Sequence, residues 1–403
     1  MKPAVIVWAF SLIAQAAFAA PCPTRASWPT VDWPVTGTTN RSPQMKALED
    51  YAFTTIGSDA ERNGIRTDSV IVIKGGNIVY ERYARGWSAN NRHISWSVAK
   101  SISSTLIGVA VNQGALKLED SICTYLTEYA GKPVCAITVK DTITFGMGLQ
   151  WQEEYENSGY QGSSVISMLL GVGHADQIDF VLSQRQSYKP GTQFIYSTGY
   201  AAVAAAVAKA ALMKSFGRDA FWGLLFDKIG MSRTVFEEDV KGSPLGGSYV
   251  YATPRAYAKL GYLYLNDGCW AGERVLPEGW VTSATTINDA FKANRGSCPY
   301  APVEGTYVLP CEDTPSGYMW WLNKPPAPGV DKPYKEIPDD GYVAIGHWGQ
   351  YIAVVPSEDL VVVRTGDDRN DCPASAAADE TVNGVPCNFR IAKLVGLAIE
   401  VAK

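Results

Sequence analysis

Ser97 and Lys100 stand three residues apart at the head of an apolar stretch, in the segment Trp96-Ser97-Val98-Ala99-Lys100. On a helix that spacing puts a hydroxyl and an amine on one face, a turn from each other. A serine hydroxyl is a poor nucleophile until a base takes its proton. A lysine serves as that base only when neutral, and burial drives it towards the neutral form. The neighbours Trp96, Val98, Ala99 and Ile102 make burial of Lys100 the expectation. A helix N-terminus also offers backbone N–H groups and a positive dipole end to a developing oxyanion. The chain holds no other Ser-x-x-Lys. The competing reading is a serine N-cap followed by a solvated lysine.

Two later segments support the chemical reading. Tyr196-Ser197-Thr198 precedes an Ala-rich stretch, and a tyrosine beside a lysine can relay a proton. Gly346-His347-Trp348-Gly349-Gln350 lies where a final β-hairpin is expected, and glycines there let a substrate backbone approach a strand. Other nucleophile systems are missing: there is no G-x-S-x-G elbow and no H-E-x-x-H. Of the three histidines, His93 and His174 have no acidic or metal partner by spacing. The cysteines show no zinc spacing, and the reading calls for no metal or cofactor.

The elements that must hold these residues follow from pattern. Gln44–Thr55 reads as a helix. Ser69–Lys74 and Ile78–Tyr83, about Gly75-Gly76, read as a hairpin. The helix carrying Ser97 should run to about Gln113 and end at Gly114. Residues 115–250 lose strand character, with short helices expected at Thr138–Thr144, Val165–Leu170 and Gln177–Gln184, and a long one at Gly199–Lys214. Pro254–Asn266 has Thr253 as its N-cap. Residues 285–345 are rich in Gly and Pro, with only Tyr318–Leu322 strand-like. Tyr351–Val355 and Leu360–Arg364 form a hairpin, and Arg390–Ala402 is a closing helix. Strands near both ends with helices between predict an α+β fold: an antiparallel sheet flanked by helices, with an inserted helical sub-domain. The expected divisions are a signal peptide over 1–19, a sub-domain over 116–250, and two halves of an α/β domain over 20–115 and 251–403.

At 403 residues, 19% charged and a formal net charge of −5, with no basic run, nucleic acid and anionic membranes are poor partners. Lys2, the apolar Ala4–Ala17 and the Ala17-Phe18-Ala19 site predict a cleaved export signal, hence a periplasmic or secreted protein without stable membrane insertion. Eight cysteines fit an oxidising compartment. Three pairs close short loops: Cys123 with Cys135, Cys298 with Cys311, and Cys372 with Cys387. Cys22 and Cys269 are then left over and could tie down the N-terminus, although eight cysteines allow 105 pairings and the sequence does not choose among them.

With Ser97-x-x-Lys100, the Tyr196 motif and His347-Trp348-Gly349 in place, the chain resembles the serine β-lactamase-related superfamily. That group holds class C β-lactamases, D-alanyl-D-alanine carboxypeptidases (DD-peptidases), family VIII esterases and 6-aminohexanoate-dimer hydrolases. The spacers Leu116–Asp120, Ile137–Asp141, Ala258–Gly261 and Val354–Pro356 carry the same resemblance. It implies a β-lactamase/DD-peptidase-like fold and a two-step acyl transfer. Ser97 would attack the carbonyl, Lys100 and Tyr196 would manage its proton, and the backbone N–H groups of Ser97 and Gln350 would hold the oxyanion. Two departures bear on substrate. Thr198 stands where many relatives have asparagine, and a hydroxyl cannot copy an amide's paired donor and acceptor. His347 stands where many have lysine, so a substrate carboxylate loses a fixed positive partner. His347, Trp348, Gly349 and Thr198 are the expected substrate-side residues, with Tyr155, Tyr160 and Tyr249 as cleft aromatics. A small-molecule ester or amide substrate is favoured. A β-lactamase or cell-wall peptidase is the alternative, and a non-catalytic sensor on the same scaffold is the third reading.

Overall fold

A computed structural model describes residues 21–36, 42–55, 65–155, 162–293, 314–368 and 389–403, with the backbone of 381–382 and 385–386. In chain order the helix α1 (Pro43–Phe53) leads into the strands β1 (Thr67–Lys74), β2 (Asn77–Tyr83) and β3 (His93–Ile94). The helices α2 (Val98–Asn112), α3 (Val139–Ile143), α4 (Ser164–Leu169), α5 (Gln177–Leu182) and α6 (Thr198–Phe216) follow. Then come β4 (Val235–Phe236), β5 (Val250–Ala252), α7 (Pro254–Leu265), β6 (Cys269–Trp270) and β7 (Glu273–Arg274). The short helices α8 (Trp280–Ala284) and α9 (Asp289–Ala293) precede β8 (Trp321–Leu322), β9 (Tyr342–Gly346), β10 (Gln350–Val355), β11 (Leu360–Gly366) and α10 (Ile391–Ala402).

The main sheet is antiparallel with strand order β2-β1-β11-β10-β9-β8, so the two chain ends build one sheet. Its central strands are buried nearly end to end because both faces are covered. Alternation divides them. Val70, Val72, Val355 and Val362 meet α1 and α10 on one side, while Ile71, Ile73, Ile352, Val361 and Val363 join the main core on the other. There α7 lies across β1, β10 and β11. Its Thr253 N-cap accepts from Ala256 N, with Pro254 at the first turn.

Between the chain ends, α2 is buried from Val98 to Ala110 and packs against α6. Its serines and β-branched residues are middling helix formers, so burial rather than propensity holds it. Its hydroxyls are tied to neighbours: Ser101 donates to Met319 O at 2.6 Å and Ser103 to Gly246 O at 2.7 Å. The capping box expected of a short helix start is present in α3, between Thr138 and Asp141.

Three expectations change. The 116–250 region is not free of strands: β4 lies in it, and β5 begins at its last residue and pairs with β4 and β3. At two and three residues these strands are too short for a period to show. The Gly/Pro-rich 285–345 region contains all but the last residue of β9, and Tyr318–Leu322 shrinks to Trp321–Leu322. His93 has an acidic partner after all, since its Nε2 lies 2.9 Å from Asp68 Oδ2, 25 residues away in sequence.

Disulfides Cys22–Cys269 and Cys123–Cys135 are formed. The export segment, Tyr160 and the cysteines at 298, 311, 372 and 387 lie outside the described residues. No described helix is long and apolar enough to cross a membrane.

Candidate active site

The position of Ser97 is set by a short β connection. Ser95 N donates to Val250 O at 2.8 Å and Ser95 Oγ to Ser248 O at 2.9 Å, locking the strand end beside β5. Trp96 then takes a left-handed turn, φ 43°, and Ser97 opens α2. Its hydroxyl makes no capping bond, which removes the N-cap reading. Instead Ser97 Oγ accepts from Lys100 Nζ at 2.7 Å.

Lys100 is 2% exposed. Its Nζ also donates to Thr198 Oγ1 at 2.8 Å and to Gly247 O at 3.0 Å. The Tyr196 ring lies 4.7 Å from that nitrogen. Burial pulls the Lys100 ammonium down to about 8, while the nearby Glu153 carboxylate holds some charge on it. Gly247 comes this close only because it lacks a side chain. A Cβ there would sit 2.4 Å from Thr198 Cγ2 and 2.5 Å from Thr198 O.

Ser97, Glu153, Tyr155, Tyr196, Trp321, Tyr334, Ile345, Gly346 and His347 line a cleft of about 250 Å³. One wall is aromatic. Trp96 makes edge contacts with Tyr155, Tyr249, His347 and Trp348, and His347 stacks on Tyr155 at 4.9 Å and 19°. Burial pushes the Tyr155 phenol well above its usual range. Tyr196 packs between Phe145 and Trp321.

The β9–β10 turn bounds the cleft. Gly346 lies against Ser95, since a Cβ there would be 2.3 Å from Ser95 O. Trp348 and Gly349 both turn left-handed, φ 58° and 90°. A Cβ on Gly349 would strike Arg364 Nη1 at 1.9 Å. Behind the turn, Arg364 donates to Gly349 O at 2.9 Å and pairs with Asp368, both side chains buried. The Gln350 side chain also faces inwards, donating to Gly366 O, His347 O and Trp348 O. Its side chain is therefore turned away from the cleft.

Thr198 is placed differently from expectation. It is 1% exposed and stands behind Lys100, away from the substrate side. Glu153, which sequence reasoning passed over, lies beside it. Glu153 Oε2 accepts from Trp151 Nε1 at 2.6 Å and Thr198 N at 2.8 Å, and Oε1 accepts from the Thr198 hydroxyl. Lys100 Nζ is 3.8 Å from Oε1. The available signal was a carboxylate pair, Glu153-Glu154, between Trp151 and Tyr155.

The Beta-lactamase family profile matches residues 52–378. A 6-aminohexanoate-dimer hydrolase of Paenarthrobacter ureafaciens is 23% identical over 304 residues, 74% of this chain and 72% of that one. A candidate 6-aminohexanoate-dimer hydrolase structure from Bacillus anthracis superposes with a TM-score of 0.62 at 18% identity, covering 85% of this chain and 84% of that one. A family VIII carboxylesterase gives 0.56 at 14% identity, covering 90% and 97%. Those structures share the β-lactamase-type fold. Matched over most of its length, the chain belongs to the Beta-lactamase family and is a serine hydrolase.

Proposed function

We propose that Ser97 is the acylating nucleophile of an exported hydrolase whose substrate is an ester or uncharged amide. The observation that carries the reading is the Ser97 Oγ–Lys100 Nζ contact of 2.7 Å at the edge of the cleft, around a lysine drawn towards neutrality by burial. Lys100 takes the Ser97 proton as Oγ bonds to the substrate carbonyl carbon. Tyr196 relays that proton from Lys100 to the leaving group as its bond to the carbonyl carbon breaks. The backbone N–H groups of Ser97 and Gln350 receive the oxyanion, and water then hydrolyses the acyl-enzyme.

The lining supports a substrate without a carboxylate. His347 stands where many relatives have lysine and lies flat against Tyr155, and among the described lining residues the charged side chain is Glu153. An aromatic wall beside a carboxylate suits an apolar, uncharged acyl donor. The names of the similar proteins, a 6-aminohexanoate-dimer hydrolase and a carboxylesterase, support the bond type, an amide or an ester. The apolar N-terminus and the paired cysteines support export to the periplasm or beyond.

A fluorophosphonate probe with mass mapping, then p-nitrophenyl esters, amides and nitrocefin, tests this. Labelling at Ser97 with ester or amide turnover is expected, and both are lost in Ser97→Ala. Failure to label Ser97 overturns the mechanism. Nitrocefin turnover above that of the esters replaces the substrate class with a β-lactam.

A further inference from the structure

The hydrogen bonds around Lys100 have a direction, and Glu153 sets it. Oε2 of Glu153 receives two N–H donors, Trp151 Nε1 and Thr198 N, and neither can reverse. Oε1 receives the Thr198 hydroxyl, with the Tyr155 hydroxyl at 3.4 Å. An ionised carboxylate has no hydrogen to donate, so each of these bonds is donated by the neighbour. The Thr198 hydrogen is therefore committed to Glu153, and Thr198 Oγ1 can only accept from Lys100. Gly247 O is a carbonyl and also can only accept. A neutral Lys100 has two N–H bonds, and these two acceptors take both. Its lone pair is left facing the third neighbour, Ser97 Oγ.

We infer that Glu153 is a positioning residue for acylation: through Thr198 it orients Lys100 so that the amine's lone pair points at the Ser97 hydroxyl. This rests on the proposed role of Ser97 and Lys100. It also accounts for a threonine at the motif's third position. A hydroxyl there has no fixed polarity of its own, and the buried carboxylate behind it supplies one. Glu153 is the carboxylate facing Lys100, while Tyr196 and Tyr155 bring phenols from the neighbouring segments and Ser97 and Thr198 bring hydroxyls.

In Glu153→Gln the amide oxygen must stay with the two N–H donors. The amide NH2 then faces Thr198 Oγ1 and donates to it. Thr198 turns its own hydrogen towards Lys100 Nζ and occupies the lone pair. The variant keeps the shape and reverses the network. Labelling of Ser97 and ester kcat/KM should fall on the order of 10²-fold, the scale of a lost general base. Loss of the carboxylate also removes an attraction for the ammonium, so the pH limb of the residual rate should move to the acid side of the wild-type limb. A purely structural role predicts no such displacement. Thr198→Ser keeps the hydroxyl and should retain activity within a few-fold, while Thr198→Val should lose it as Glu153→Gln does.

Wild-type labelling is the control. Its absence sinks the Ser97 assignment and not this inference alone. If wild type labels and Glu153→Gln labels at the same rate with an unmoved pH limb, Glu153 has no positioning role. Should Glu153→Gln fail to fold, Thr198→Val decides: wild-type rates there overturn the proposal, and loss with recovery in Thr198→Ser supports it.

Discussion

Lys100 is the residue on which the proposed chemistry turns, and its environment gives a pH dependence with a definite sign. Below about pH 8 the buried amine is an ammonium and has no lone pair to offer Ser97. Acylation, read as kcat/KM on a neutral ester, should therefore rise with pH and level off above about 8. A flat profile from pH 6 to 9 would remove Lys100 as the base. Lys100→Arg sharpens the point. Guanidinium stays charged throughout the accessible range, so labelling of Ser97 should fall by about 10³-fold or more at every pH. Tyr196→Phe deletes one oxygen while keeping the ring against Phe145 and Trp321. Turnover should drop on the order of 10²-fold with the melting temperature nearly unchanged. The contact between Ser97 and Lys100 was legible in the sequence because their spacing is local, one helical turn. Glu153 was not, because it gains its meaning from Thr198, 45 residues on, across a fold. The same holds for Gly247, whose backbone oxygen carries the contact, so no side-chain pattern could announce it.

At the scale of elements, the β9–β10 turn must hold its shape for Gln350 to serve the site. Three left-over demands of the backbone are met from behind: Gly349 O by Arg364, and His347 O and Trp348 O by the Gln350 side chain. Arg364→Met would leave Asp368 as a buried carboxylate with its guanidinium partner gone. Breaking such a pair costs about 3–5 kcal/mol, which a thermal melt would show. The turn would also lose its anchor, and kcat should fall by about 10²-fold, the worth of one oxyanion donor, with KM changing less. An unaltered kcat in the folded variant would detach this turn from the oxyanion. Elements with caps and long periods, such as α2, α6 and α7, were foreseen within a few residues. β9 was not, since it follows Gly341, ends on Gly346 and closes a Pro/Gly-rich tract that reads as loop. β3 and β5, which deliver Ser97, are shaped by tertiary pairing of two or three residues and leave no periodic trace.

For the whole molecule, the irregular lead-in is docked on the face of α7. Trp28 and Trp33 pack edge-on to Tyr262, Arg25 pairs with Asp359 at 2.7 Å, and Lys259 donates to Thr30 O at 3.1 Å. Cys22–Cys269 fastens that segment across 247 residues of chain. A crosslink of such span restricts the unfolded ensemble strongly, by at most about 5 kcal/mol on the chain-entropy account. Cys123–Cys135 spans 12 residues and is worth about 3 kcal/mol on the same account. Replacing Cys22 and Cys269 together by serine should therefore lower the melting temperature by several degrees more than replacing Cys123 and Cys135. Neither Cys22 nor Cys269 lines the cleft, so ester turnover at 25 °C should stay near the wild-type level while thermal inactivation speeds up. Parallel loss of turnover at 25 °C would instead mean that the lead-in, through α7 and the sheet beneath it, helps hold the strands that carry Ser97 and Gln350.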